Sequence, residues 1–288
     1  MPDPEAPLAP GLYVVATPIG NLQDISLRAL AVLRAADVVA CEDTRHTQKL
    51  LHHFGIAVRT VSYHEHNEAE RAAELLAELE GGARVALVSD AGMPGISDPG
   101  YRIVTLAVER NIPVVPVPGA SALVAALAAS GLPTDSFCFH GFLPAKSGAR
   151  RALLERLAAA EQTLVFYEAP HRIVEALTDL LETMGPDRPV VVARELTKLH
   201  EEFLRGRAAD VLAALRKRGD VKGEITLLVG KAEQAQSQPV TNVRSRVEAL
   251  MAAQALDERA ALKQLAKDTG RSKSELYREL QRQRSAKG

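Results

Sequence analysis

Glu42 and Asp43 stand side by side after an apolar run, with Arg45 and His46 directly behind them. Adjacent carboxylates at a strand end can serve acid–base chemistry, because like-charge proximity raises the pKa of one member. The competing structural reading makes one acid a helix cap and the other an ion-pair partner of Arg45. A second cluster runs from Ser89 to Gly100 (SDAGMPGISDPG), with three glycines and two prolines flanking Asp90 and Asp98. Such a loop lets backbone amides approach a ligand closely while prolines hold its shape, or it forms a rigid turn with Asp98 capping the next helix. It is neither a Walker P-loop nor a dinucleotide-binding glycine fingerprint. Pro118-Gly119-Ala120-Ser121 opens an apolar helix, where Ser121 is an N-cap or the free amides hold a carboxylate. The pairs His52-His53 and His64-x-His66 invite a metal reading, but they form no helical set with a third ligand, and no metal is expected.

The elements that must position these residues follow from hydrophobic periodicity. Short β-branched runs at 12–16, 37–41, 60–63, 85–88 and 114–117 alternate with amphipathic helical stretches at 70–79, 103–110 and 122–129. That alternation predicts βαβ units and a mostly parallel sheet. In an open parallel sheet, ligands lie beyond the carboxyl ends of the strands, and there the polar clusters fall in succession. A break near residues 136–148 precedes a restart, with strands at 164–167, 190–193 and 225–229 and helices at 173–184 and 209–217. The fold class is therefore α/β, with one α/β domain over 11–136 and a second over 137–232. Glu201-Glu202 and Arg216-Lys217-Arg218 read as solvated helix ends.

The 288 residues carry 35 Lys+Arg and 36 Asp+Glu, a formal net charge of -1, but the balance is uneven. Residues 244–288 hold 11 basic and 6 acidic side chains, net +5, whereas the other 243 residues hold 24 and 30, net -6. Leu256, Ala260, Leu262 and Leu265 fit one short helix and Leu276, Tyr277 and Leu280 another, with Thr269-Gly270 as the turn and Ser272 or Ser274 as N-cap. This basic helix-turn-helix-like domain follows a linker at 233–243. Two cysteines, Cys41 and Cys138, exclude a disulfide framework. No apolar run approaches the roughly 20 residues that cross a bilayer. Residues 1–10 lack the basic and apolar regions of a signal peptide, so a disordered leader and a cytoplasmic, membrane-free protein are expected.

Taken together, Val15–Leu22 (VATPIGNL), Cys41–Thr47 (CEDTRHT), the Ser89–Gly100 loop and Pro118–Ser121 resemble the tetrapyrrole methylase superfamily. Glu42–Thr47 and Phe166–Arg172 (FYEAPHR) are similar to the branch that methylates the ribose 2′-hydroxyl of a decoding-centre cytidine in 16S rRNA. The resemblance covers about Gly11 to Lys231 and implies two α/β domains of that type with S-adenosylmethionine (SAM) in the cleft between them, in a homodimer acting on 16S rRNA or the 30S subunit. It further implies cofactor contacts from Pro18, Asp90, Gly92, Met93, Ser121 and Ala122, with Tyr167, Ala193 and Thr226 closing from the second domain. Methyl transfer to a weakly nucleophilic hydroxyl asks for a group that assists loss of its proton. The candidates carried forward are Glu42, Asp43, Arg45, Glu168 and Lys198. Arg45 and Arg172 are candidate phosphate contacts, and Arg271, Lys273 and Arg278 would anchor RNA from the tail with little sequence preference. Two other readings stay open: a methyltransferase acting on a corrinoid or porphyrin precursor, and a non-catalytic SAM-sensing RNA-binding protein.

Overall fold

Gly11–Val15 (β1) is buried at every residue, as a strand covered on both faces must be. The computed structural model of the chain describes residues 8–232, 243–254, 256–269 and 271–285. After β1 come α1 (Leu27–Ala35), β2 (Val38–Cys41), α2 (Thr44–His53), β3 (Arg59–Ser62), α3 (Glu68–Glu80), β4 (Arg84–Leu87), α4 (Tyr101–Glu109), β5 (Val114–Val117) and α5 (Ala122–Ser130). The five strands form one sheet in the order β3-β2-β4-β1-β5, and every pairing is parallel. Helices cover both faces. Tyr13, Val15, Leu33 and Val39 belong to one buried cluster, and Leu12, Val38, Leu75 and Ile103 to the opposite one.

The second half is built from β6 (Phe137–Phe142), α6 (Ser147–Leu157), β7 (Thr163–Glu168), α7 (Ile173–Met184), β8 (Pro189–Arg194), β9 (Glu202–Arg207), α8 (Ala208–Arg218) and β10 (Ile225–Val229). Its sheet runs β6-β7-β10-β8-β9. Only β6 and β7 are parallel; β10 inserts between β7 and β8 and runs against both, and β9 runs against β8. The parallel expectation thus holds for the first sheet and not for the second, because the β8–β9 connection contains no crossover helix. Glu202 is corrected as well. It opens β9 rather than ending a helix, and its carboxylate binds Arg194 and Arg218.

Alternation along the second sheet sends Leu164, Phe166, Val190 and Val192 toward α6, α7 and α8. Val165, Val191, Ala193 and Leu228 face the other way and pack with Ala126 and Leu127 of α5 and with Ile19. The two halves therefore share a buried seam within one compact unit that ends at Ala232. Arg150 of α6, only 1% exposed, donates Nε to Asp179 Oδ2 at 2.7 Å and Nη1 to the Pro144 and Ala145 carbonyls, pinning the turn after β6.

The C-terminal unit contains α9 (Val243–Gln254), α10 (Glu258–Thr269) and α11 (Lys273–Ser285) around Val247, Leu262, Leu265, Leu276 and Leu280. Its described residues form three helices where two were expected; the spacing of Val243, Val247, Leu250 and Met251 is the helical signal for α9. Ser272 and Glu275 form a capping box at the start of α11, each side chain accepting the other's backbone N–H at 3.2 Å. The expected linker, except Val243, and residues 1–7 of the expected leader lie outside the described residues. Leu8 packs on the first core, and Tyr13 Oη donates to the Ala9 carbonyl at 2.7 Å. Among the described residues, no helix is long and apolar enough to cross a membrane.

Candidate active site

All five strands of the first sheet end on one edge because all are parallel, and the strand order decides which loops become neighbours. The turns after β4, β1 and β5 stand side by side from the sheet centre to its β5 edge, with Glu42-Asp43 after β2 on the other side of the β4 loop. The first turns are stitched together by backbone. Thr17 N–H donates to the Gly92 carbonyl at 2.9 Å, and Gly92 N–H returns a bond to the Thr17 carbonyl at 3.1 Å. Gly92 does this at φ +84°, a conformation that any side chain would strain. Thr17 is 3% exposed and donates Oγ1 to the Ser89 carbonyl, so the polar side chain at the strand end ties the glycine loop down.

The second sheet supplies the facing wall through its antiparallel register. Thr226 lies directly opposite Tyr167 on one side and Ala193 on the other, so three residues far apart in the chain form a single row. A cavity of about 280 Å³ lies between this row and the first-sheet loops. Gly92, Met93, Ser121, Ala122, Tyr167, Glu168, Ala193 and Thr226 all line it. Pro18 and Asp90 line a smaller hollow of about 170 Å³, which shares the Ser89–Gly92 segment as a border. Ile19, Leu196 and Ile225 give the larger cavity apolar surface suited to a planar base. The first amides of α5 reach it beside Ser121, whose Oγ also accepts the Val124 N–H at 3.5 Å. Donors, an aromatic ring and carboxylates thus meet in one half-open cleft, which fits a zwitterionic nucleoside carrying a positive centre.

The ionisable groups take distinct roles. Asp98, in the cavity wall, has its carboxyl pushed up to about 6, first by burial and then by the charge of Glu42, against a hydrogen bond from Ser89. It does not cap α4, whose N-cap is Gly100 without a side-chain bond. Asp98 was seen in sequence only as a cap; its place in a proline-fixed loop full of ligand-type residues was the available signal. Glu42 is also raised, by burial and then by Asp90 and Glu65. Asp43, in contrast, caps α2 and holds Arg45, which lowers its carboxyl to about 2. Its backbone N–H donates to Asp90 Oδ1 at 3.2 Å, bracing α2 against the glycine loop.

Glu168 is 2% exposed, accepts the Ala169 N–H and pairs with Arg172 at 2.7 Å through Oε1, while its Oε2 has no partner among the described residues. Arg172 is thereby turned inward, its side chain 20% exposed, whereas the Arg45 side chain is 87% exposed. Lys198 bridges Glu195 at 2.9 Å and Glu224 at 2.6 Å. Burial disfavours its ammonium, but the two carboxylates outweigh that and lift its pKa above the usual lysine value, so it is a clamp and a poor base. The clamped segment carries Glu195 and Thr197 at φ +54° and +65°, strain that the surrounding bonds must hold. Gly223 adjoins it with no room for a Cβ, which would strike the Glu195 carboxyl. In the tail, Lys273 and Arg278 are exposed and Arg271 half-buried; Arg278 Nε donates to the Ser274 carbonyl. Among the described residues no cluster of His, Cys, Asp or Glu is arranged to hold a metal ion.

Residues 11–212 match the family described as tetrapyrrole (corrin/porphyrin) methylases. A relative from Synechocystis sp., named ribosomal RNA small subunit methyltransferase I, is 49% identical over 268 residues, covering 92% of this chain and 95% of its own length. One of the same name from Mesorhizobium japonicum is 49% identical over 277 residues, covering 96% and 93%. The crystal structure of uroporphyrin-III C-methyl transferase from Thermus thermophilus complexed with S-adenyl homocysteine shares the fold, with a TM-score of 0.54 at 21% identity over 77% of this chain and 98% of that one.

Proposed function

The chain belongs to the tetrapyrrole (corrin/porphyrin) methylase family, and from that premise we propose that it methylates the ribose 2′-hydroxyl of a decoding-centre cytidine in 16S rRNA, on the 30S subunit, with SAM as methyl donor. The observation that carries the chemistry is the cavity with Asp98 in its wall. The substrate class rests on the nearly full-length likeness to relatives named for small-subunit rRNA methylation.

When bound, SAM supplies an electrophilic methyl group on a sulfonium together with a good leaving group. The chain's own residues do the rest. The row Tyr167, Thr226 and Ala193 closes over the adenosine, and Met93, Gly92 and Ala122 close from the first half. The amides at the start of α5 hold the carboxylate of the donor. Pro18 and Asp90 support this wall from the adjoining hollow. Lys198 keeps the Glu195–Glu224 side shut, and the Glu168–Arg172 pair stiffens the floor. Asp98 takes the hydroxyl proton: a carboxyl titrating at about 6 is mostly ionised at neutral pH, yet basic enough to accept a proton as the nucleophile attacks. Glu42 assists by keeping Asp98 basic.

Arg45 contacts RNA phosphate near the mouth, and Arg172 does so only by sharing its guanidinium with Glu168. Arg271, Lys273 and Arg278 in the 244–288 domain anchor the rRNA, joined through the 233–243 linker to the α/β domains of 11–136 and 137–232, and the working unit is a homodimer in the cytoplasm.

The test is transfer of labelled methyl from SAM to unmodified 30S subunits and to naked 16S rRNA, followed by nucleoside mass spectrometry. Label on the ribose of a single cytidine supports the proposal, whereas label on a base moves the chemistry. SAM binding with no label on either RNA refutes the RNA reading and turns attention to a small-molecule acceptor.

A further inference from the structure

α2 is, with α1, one of two helices of the first half that carry basic residues and no acid. Thr44–His53 contains Arg45, His46, Lys49, His52 and His53 and not one acid. It does so on a body whose charges outside the tail, its own included, sum to net -6. Five other arginines of this half are matched by carboxylates, Arg59 by Glu78, Arg71 by Glu74, Arg84 by Asp37, Arg102 by Glu68 and Arg110 by Glu80, while Arg28 and Arg34 bond carbonyls and Arg45 of α2 is held by Asp43. Lys49 and His52 have no carboxylate partner among the described residues, and both are exposed.

The spacing makes these residues one surface. Arg45, Gln48, Lys49 and His52 stand at i, i+3, i+4 and i+7 on one face, along an open groove of about 520 Å³ floored by Ile56 and Val58. Arg45 to Lys49 spans about 6 Å along the axis, a step comparable with that between consecutive phosphates of an extended strand. Lys49 also lines the smaller hollow with His46 and Asp90, so the groove and that hollow meet at this side chain, next to the cavity loop. The helix dipole explains basic residues only in the last turn, where His52 and His53 lie; it disfavours Arg45 in the first turn and leaves Lys49 in the middle unexplained.

We infer that this face of α2 is a track for the phosphates of the RNA strand flanking the target nucleotide, an inference that rests on the RNA reading given above. The track ends where Glu42, Asp90 and Asp98 make the mouth acidic. Phosphates are repelled there, and the uncharged nucleoside is the part that enters.

The test uses full-length protein carrying Lys49→Gln and His52→Gln together, with Lys49→Arg as the conservative control. SAM affinity by calorimetry and Tm are expected to stay at wild-type values. Affinity for unmodified 30S subunits falls by roughly tenfold at low salt, and the slope of log K against log salt becomes shallower by about 0.7 for the lysine alone. Lys49→Arg restores both. A photo-crosslinking side chain placed at Gln48 labels RNA. If the wild type binds with steep salt dependence and the double variant matches it, the track is wrong and the RNA reading survives. A crosslink to a ribosomal protein in place of RNA overturns the track in favour of a protein contact. A wild type that binds neither 30S nor naked rRNA overturns the RNA reading and the track with it.

Discussion

Replacing Asp98 with Asn should lower activity and raise stability, an opposition that a purely structural role for this residue cannot produce. The Asp98 carboxyl stands at about 6 in the folded protein against an ordinary 3.8. At 1.36 kcal/mol per unit, the folded state loses at most about 3 kcal/mol by ionising it. Solvent screening at a group that is only partly buried reduces this to about 1–2 kcal/mol. For an acid raised on folding, the native state binds the extra proton. The penalty is absent below pH 3.8, grows between 3.8 and about 6, and is complete above. Asp98→Asn should therefore raise Tm by a few degrees at pH 7.5, with the gain vanishing near pH 4. The same variant loses the proton acceptor, which should reduce the methyl-transfer rate by roughly 10²–10⁴-fold while SAM still binds. In the wild type, kcat/KM should rise about tenfold per pH unit on the acid side and level off above about 6. The kcat profile should bend at lower pH, because a sulfonium bound nearby favours the carboxylate. Stopped assays from pH 4.5 to 8.5 with scanning calorimetry on both proteins make the measurement. An Asn variant at wild-type rate, or a kcat/KM limb centred near 4, would refute the assignment of the proton to Asp98.

Gly92→Ala forces a side chain into φ +84°, so it should cost about 1–2 kcal/mol, loosen the Thr17–Gly92 bridge and weaken SAM binding; a calorimetric Kd equal to wild type would show that the loop tolerates the change. Asp179→Asn leaves the buried Arg150 guanidinium with Glu175 at 3.8 Å as its remaining carboxylate and should cost about 2–3 kcal/mol, read as a Tm lower by several degrees, with little change in the SAM Kd of the folded fraction. Deleting residues 240–288 should raise the Kd for rRNA and flatten its salt dependence while leaving SAM affinity intact; lost SAM binding would show that the tail supports the cavity instead.

Local pattern was enough for much of this protein. The β-branched runs, the polar clusters at their ends and the amphipathic stretches between them carry the first sheet, because a βαβ unit is held by periodicity and turn chemistry that lie within a few tens of residues. The glycine loop was legible for the same reason: Gly92 and the prolines around it have one backbone use whatever surrounds them. The basic excess of the last 45 residues could be counted directly.

Tertiary structure decided what depends on long-range register and burial. Only the antiparallel insertion of β10 between β7 and β8 puts Tyr167, Thr226 and Ala193 in one row, and no local spacing encodes that pairing. Asp43 and Asp98 look alike in sequence, yet a guanidinium holds one at about 2 while a half-buried, acid-lined wall lifts the other to about 6. Arg45 and Arg172 looked equally available for phosphate until folding left one exposed and buried most of the other against Glu168. A residue's chemical type is written in the chain, but its protonation and reach depend on solvent and neighbours, and those are assigned only when distant segments meet.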